Sequence, residues 1–198
     1  MTCIVGIIDG KYVYMGGDSF AGTEYNHMRV KYPKVFKREV DIAGSKTPDY
    51  MLMGGCGSFR MLQLLRYSLD IPQYDPNVDI GEWFVEIFAE EVRELFKERG
   101  LTKLIDESEE LFNGEFLIGF RGNLFTLQED YACIAFAEKE HCSGAGEEYA
   151  LGGLFGTKGR VKNINERINI ALGAAAEFSP AVLAPFHIVS TEPEPKLK

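Results

Sequence analysis

Thr2, Asp18 and Lys34 lie at intervals of 16 and 32 residues from the threonine, and the glycine turn "GGCGS" (residues 54–58) follows them. These residue types together supply the parts of an acyl-transfer site. A threonine hydroxyl alone is a poor nucleophile and needs a base to take its proton. If Met1 is removed, Thr2 becomes the first residue and its own α-amine is that base. The reference pKa of an α-amine, about 7.7–8.0, leaves part of it neutral near pH 7. A nearby Lys34 ammonium would lower that value further and would favour a negative oxygen. Asp18 would hold the lysine, and the Gly57 N–H in the turn would bind an oxyanion. Each residue also has a plainer reading: an Asp after Gly-Gly is a turn residue, and a Lys beside Pro33 is a solvated cation.

The elements that must position these groups are short. Cys3 to Ile8 is apolar and β-branched and reads as a buried strand. Asp9-Gly10 is a hairpin signal, and Lys11 to Gly17 returns beside it. Short strands are expected at residues 35–37, 40–43 and 50–53. Ser58 caps a helix with Met61, Leu62, Leu64, Leu65 and Leu69 on its apolar face. Residues 79–99 form a long amphipathic helix. Strands at 116–120, 123–128 and 132–137 follow, then helices at 147–154 and 161–178 and a last strand at 186–189. Strands and helices do not alternate regularly, which argues against a doubly wound parallel sheet. The order predicts an α+β chain, a four-layer α/β/β/α sandwich of two antiparallel sheets. Residues 1–190 are read as one domain and 191–198, "TEPEPKLK", as a disordered polar tail.

Composition narrows the function. The chain has 198 residues, 45% of them hydrophobic, and a formal net charge of −9. A nucleic-acid surface needs clustered Lys and Arg, so nucleic acid is not expected as a partner. No apolar run approaches the roughly 20 residues that cross a bilayer, and no signal peptide opens the chain. A cytoplasmic location, with the four cysteines as free thiols, is the expectation. Those cysteines form no CxxC pair and the three histidines complete no zinc spacing, so neither metal nor organic cofactor is expected.

The stretches "TCIVGI" (2–7), "GGDS" (16–19) and "KV" (34–35), in this register, resemble the opening of proteasome β-type subunits and of the HslV peptidase. "MGGCGSF" is similar to the family's glycine turn, and "SGAGEEYALGGL" and "INIALGAAAEFS" resemble its later segments more loosely. The resemblance implies the N-terminal-nucleophile hydrolase fold and a threonine-type peptidase acting on peptides or unfolded proteins. It also implies a homo-oligomeric ring and an ATP-driven unfoldase as possible partner. It assigns Thr2, Asp18, Lys34 and Gly57 to catalysis, with Glu177 in place of a late aspartate. It assigns Ala21, Gly22, Tyr32 and Phe36 to substrate binding. Ala145 stands where the family has a serine, with Ser143 two residues earlier. That departure leaves two other readings open: a weakly active or inactive ring-forming relative, and a small-molecule amidase of the same class.

Overall fold

The apolar run behind Thr2 forms β1 (Ile4–Asp9), which turns back into β2 (Tyr12–Gly17) with Ile4 opposite Gly17 and Asp9 opposite Tyr12. The structure is a computed structural model that describes residues 2–23, 26–105 and 109–193. The turn residues are Gly10 and Lys11, one place later than the sequence reading. Gly10 sits at φ +60°, as a two-residue hairpin with glycine in its first turn position requires.

Two hairpin strands that the sequence reading did not find come next, β3 (Phe20–Thr23) and β4 (Asn26–Arg29). Then come β5 (Val35–Val40) and β6 (Asp49–Gly57). β5 is continuous where two short strands were expected, because the polar residues in its middle have structural tasks. Arg38 donates to the carbonyls of Leu65, Arg66 and Leu69 and so ties down the end of α1 (Phe59–Tyr67). The expected long helix contains a shift of phase. Asp79 caps α2 (Ile80–Trp83), a π-turn spans Phe84–Phe88, and α3 (Ala89–Glu98) continues from it. The extra residue of that turn lets Trp83, Phe84 and Phe88 all point inward, with Phe84 stacked 3.9 Å from Phe125.

The short hairpin β7 (Lys103–Ile105) and β8 (Glu109–Leu111) leads to β9 (Gly114–Phe120) and β10 (Asn123–Leu127). β11 (Cys133–Ala135) and β12 (Glu140–Ser143) follow. The chain ends with α4 (Glu147–Thr157), α5 (Ile164–Phe178) and β13 (His187–Ser190). One sheet has the order β12-β1-β2-β13 and the other β11-β10-β9-β6-β5. All ladders within the two sheets are antiparallel.

Three apolar layers hold the sandwich together. Ile4, Val13, Met15, Val35, Leu52, Leu117 and Leu124 fill the space between the sheets. Cys3, Val5, Ile7 and Cys142 pack outward against Ala150, Leu154, Ile168 and Leu172 of α4 and α5. An aromatic layer around Trp83, Phe84, Phe88 and Phe120 lies between the second sheet and α1–α3. The fold class is therefore the one read from the sequence. Thr191, assigned to the tail, still pairs with Val13 through its N–H and its hydroxyl. Residues 194–198 of that tail lie outside the described residues.

Helix caps follow local chemistry. Asn163 accepts from the Glu166 N–H at 3.0 Å at the start of α5. Asn163→Ala is expected to lower stability by about 1 kcal/mol, read as a shift in urea midpoint at unchanged slope.

Candidate active site

Antiparallel pairing of β1 with β2 carries Thr2 to the strand end where Asp18 stands, and Lys34 enters from the residue before β5. All three side chains are buried, Lys34 with 1% of its side chain exposed and Asp18 with none. Lys34 Nζ donates to Thr2 Oγ1 at 2.9 Å and to Asp18 Oδ1 at 2.9 Å. Asp18 is further held by the backbone N–H groups of Cys3 (3.0 Å), Phe20 (2.7 Å) and Leu183 (3.3 Å). Burial pushes the Lys34 amine below its ordinary value, and Asp18 pulls in the opposite direction. A lysine so placed polarises the Thr2 oxygen and favours its ionised form.

The glycine turn lies beside this group. Gly57 ends β6 at φ +93°, a backbone that L side chains rarely adopt, and Phe59 brings its ring to 6.0 Å from Lys34 Nζ. Gly144 (φ +96°) follows β12. An added Cβ there would lie 2.5 Å from the Thr2 carbonyl oxygen and 2.7 Å from Cys56 Sγ. The Gly146 N–H donates to the same carbonyl at 3.3 Å. Ala145 is exposed in this turn, and its methyl group offers no hydrogen bond. Ser143 is fully buried in β12, opposite Ile4.

The other expected residues divide. Ala21 and Tyr32 line a cleft of about 550 Å³ whose wall also includes Phe59, so it adjoins the triad. Phe36 is buried behind that wall with the Arg66 guanidinium 4.5 Å above its ring. Gly22 belongs to the β3–β4 hairpin, where the Asn26 carbonyl occupies the space of any side chain. Glu177 is exposed on the last turn of α5, and other residues hold the triad. The sequence reading missed the Leu183 N–H on Asp18 and the half-buried neighbours Cys56 and Glu115. No local pattern announces them. Met1, whose removal the reading expects, lies outside the described residues.

Cys3 alternates with Thr2 along the strand and faces the α4–α5 layer, away from Lys34. Burial raises its thiol and that of Cys142 far above the ordinary 9.0, raises Cys56 to about 11 and raises Cys133 to about 12. The folded state favours neutral thiols. The stability linked to them is complete below about pH 9 and is lost as pH rises through those higher values. Iodoacetamide near pH 8 should leave Cys3 and Cys142 of the native protein unlabelled and should label all four thiols in urea. Rapid labelling of native Cys3 would make that thiol a competing candidate for the nucleophile. Among the described residues, no cluster of His, Cys, Asp and Glu could hold a metal ion, and no helix is long and apolar enough to cross a membrane.

The architecture has counterparts among proteins of known structure: the fold is that of HslV-like and ancestral β-subunit proteins. BPH from Thiobacillus denitrificans, solved with epoxomicin, superposes with a TM-score of 0.75 at 17% identity, over 98% of this chain and 100% of that one. The eukaryotic HslV of Trypanosoma brucei gives 0.63 at 16% identity, over 96% and 98%. The Anbu complex of Pseudomonas aeruginosa, solved as a helical assembly, gives 0.62 at 13% identity, over 96% and 80%. No family model and no curated protein matches the sequence.

Proposed function

We propose that the chain is a threonine-type peptidase subunit whose nucleophile is Thr2, made N-terminal by removal of Met1. The contact that carries this reading is the 2.9 Å hydrogen bond from the buried Lys34 ammonium to Thr2 Oγ1, with Asp18 behind it. Few structural roles justify the burial of a lysine whose partners are a hydroxyl and a carboxylate. The Thr2 oxygen attacks the scissile carbonyl carbon, and its proton passes to the α-amine. In this reading the Gly57 N–H stabilises the developing oxyanion. The C–N bond breaks as the amine returns the proton to the leaving nitrogen. Water then cleaves the acyl ester by the same route in reverse and regenerates Thr2.

Ala21 and Tyr32 place the acyl-side residue of the peptide in the neighbouring cleft. Its walls are mostly aromatic and aliphatic, with Lys31 and Arg66 as cations and no carboxylate among the described residues that line it, so apolar and acidic side chains suit it better than basic ones. The helical assembly of the similarly folded Anbu supports a homo-oligomeric ring or spiral; a cytoplasmic location, unfolded chains as substrate and an ATP-driven unfoldase as possible partner belong to the same proposal. No cofactor is needed. The exposed Ala145 favours a second reading, a ring-forming relative with little activity.

Epoxomicin separates the two. An epoxyketone captures a hydroxyl and an adjacent free α-amine together. Peptide mass mapping should therefore place the adduct on Thr2 of the wild type and find none in Thr2→Ala. A mature protein that retains Met1 and stays unmodified would decide for the inactive relative.

A further inference from the structure

Three polar side chains from three strands and both sheets meet at the end of the apolar layer between the sheets. Cys56 comes from β6, Glu115 from β9 and Ser143 from β12. Ser143 is fully buried and donates to Glu115 Oε1 in a short hydrogen bond. That commits the serine proton, so Cys56 is the donor in its 3.3 Å contact with Ser143 Oγ. The thiol stays protonated there, as burial keeps it well above neutrality. The row therefore has one direction: thiol to hydroxyl to carboxylate. Its thiol end touches the Gly144 turn that closes on the Thr2 carbonyl. Its carboxylate end is half-buried and lines a surface cleft with Gln128, Glu129 and Asp130, where water reaches it.

Glu115 keeps its charge at the edge of the apolar layer because Ser143 donates to it and water reaches it from the cleft. Lys34 lies on the hydroxyl side of Thr2. We propose that Glu115, locked in place by Ser143 and separated from Thr2 by Cys56, is a positioning residue that tunes the α-amine base of Thr2 from the Gly144 side. It does by charge what Ala145 cannot do by hydrogen bond. The idea rests on Thr2 being the nucleophile. The charged and titratable groups around the row are Lys34, Asp18 and Cys3 on the Thr2 side, and His141, Glu147, Glu129 and Asp130 on the Glu115 side. Glu115 is the anion hydrogen-bonded into the row itself.

The sign follows directly. A negative charge raises the proton affinity of an amine, so its removal makes the free base available at lower pH. In the processed full-length protein, Glu115→Gln should move the acidic limb of the peptide-hydrolysis pH profile down by about half a unit. Glu115→Asp, which keeps the charge, should leave the limb at its wild-type position even if kcat falls. A merely structural role would lower the rate in both variants and move neither limb, and that result would overturn the proposal. Should Glu115→Gln not fold, Glu115→Gln with Ser143→Ala removes both partners of the hydrogen bond together and carries the same expectation. A second readout needs no hydrolysis. The pH midpoint for alkylation of Cys56, mapped by mass spectrometry, should fall in Glu115→Gln and not in Glu115→Asp. Hydrolysis absent from the wild type would refute the nucleophile assignment. An unchanged Cys56 midpoint in Glu115→Gln, beside hydrolysis by the wild type, would refute the tuning by Glu115 and leave the nucleophile assignment standing.

Discussion

Lys34→Met should destabilise the protein by about 3–5 kcal/mol, the largest loss expected of any single exchange at the site. Methionine has a stem of similar length, so packing changes little. The charge is what disappears. Asp18, with none of its side chain exposed, then keeps its carboxylate in the interior without its cation. The three backbone N–H groups on Asp18 soften the loss and place it toward the lower end of that range. Asp18→Asn should cost less, because the amide oxygen still accepts from part of that set, although Lys34 then stands beside a neutral group. Urea unfolding of the three proteins at pH 7 measures this. A Lys34→Met midpoint within about 1 kcal/mol of the wild type would mean that the pair is not desolvated and that its closeness to Thr2 has no energetic weight.

Thr2→Ala should abolish peptide hydrolysis, by roughly 10³-fold or more, with stability changed by less than about 1 kcal/mol. The exchange removes one hydroxyl and one methyl group and leaves the Lys34–Asp18 ion pair intact. Thr2→Ser should keep measurable activity, since the oxygen and the amine remain. The pairing of lost chemistry with kept stability distinguishes this exchange from Lys34→Met, where both fall. Hydrolysis by Thr2→Ala at the wild-type rate would move the chemistry elsewhere in the molecule or off it altogether.

Much of the site is written along one hairpin. A period-two pattern places Thr2 and Ile4 on one face of β1 and Cys3 on the other, and the turn at Gly10 sets the register that brings Asp18 to the Thr2 end. Lys34 was legible only through the resemblance to proteasome β-type subunits, whose interval from the threonine it keeps. Phe36 and Gly22 show the limit of that kind of inference. Both sit at plausible positions along the chain, but β5–β6 pairing buries Phe36, and hairpin closure fills the space over Gly22. β12 was missed because "EHCS" shows no alternation. It is a strand because β1 supplies its ladder.

By itself the sequence determined most of the longer elements and the two-sheet α+β class, since these depend on periodicity and on turns a few residues long, while the interval that joins Thr2, Asp18 and Lys34 took its meaning from the resemblance to proteasome β-type subunits. Tertiary structure alone decided that Leu183 supplies a donor to Asp18, that Ala145 faces solvent, and that Cys56, Ser143 and Glu115 meet in one hydrogen-bonded row. Those residues lie on different strands of two sheets. A strand's own pattern reports which way its side chains point, not which strand of the opposite sheet will meet them. That choice is made when the apolar layer between the sheets closes and each buried polar group must find its partner within it.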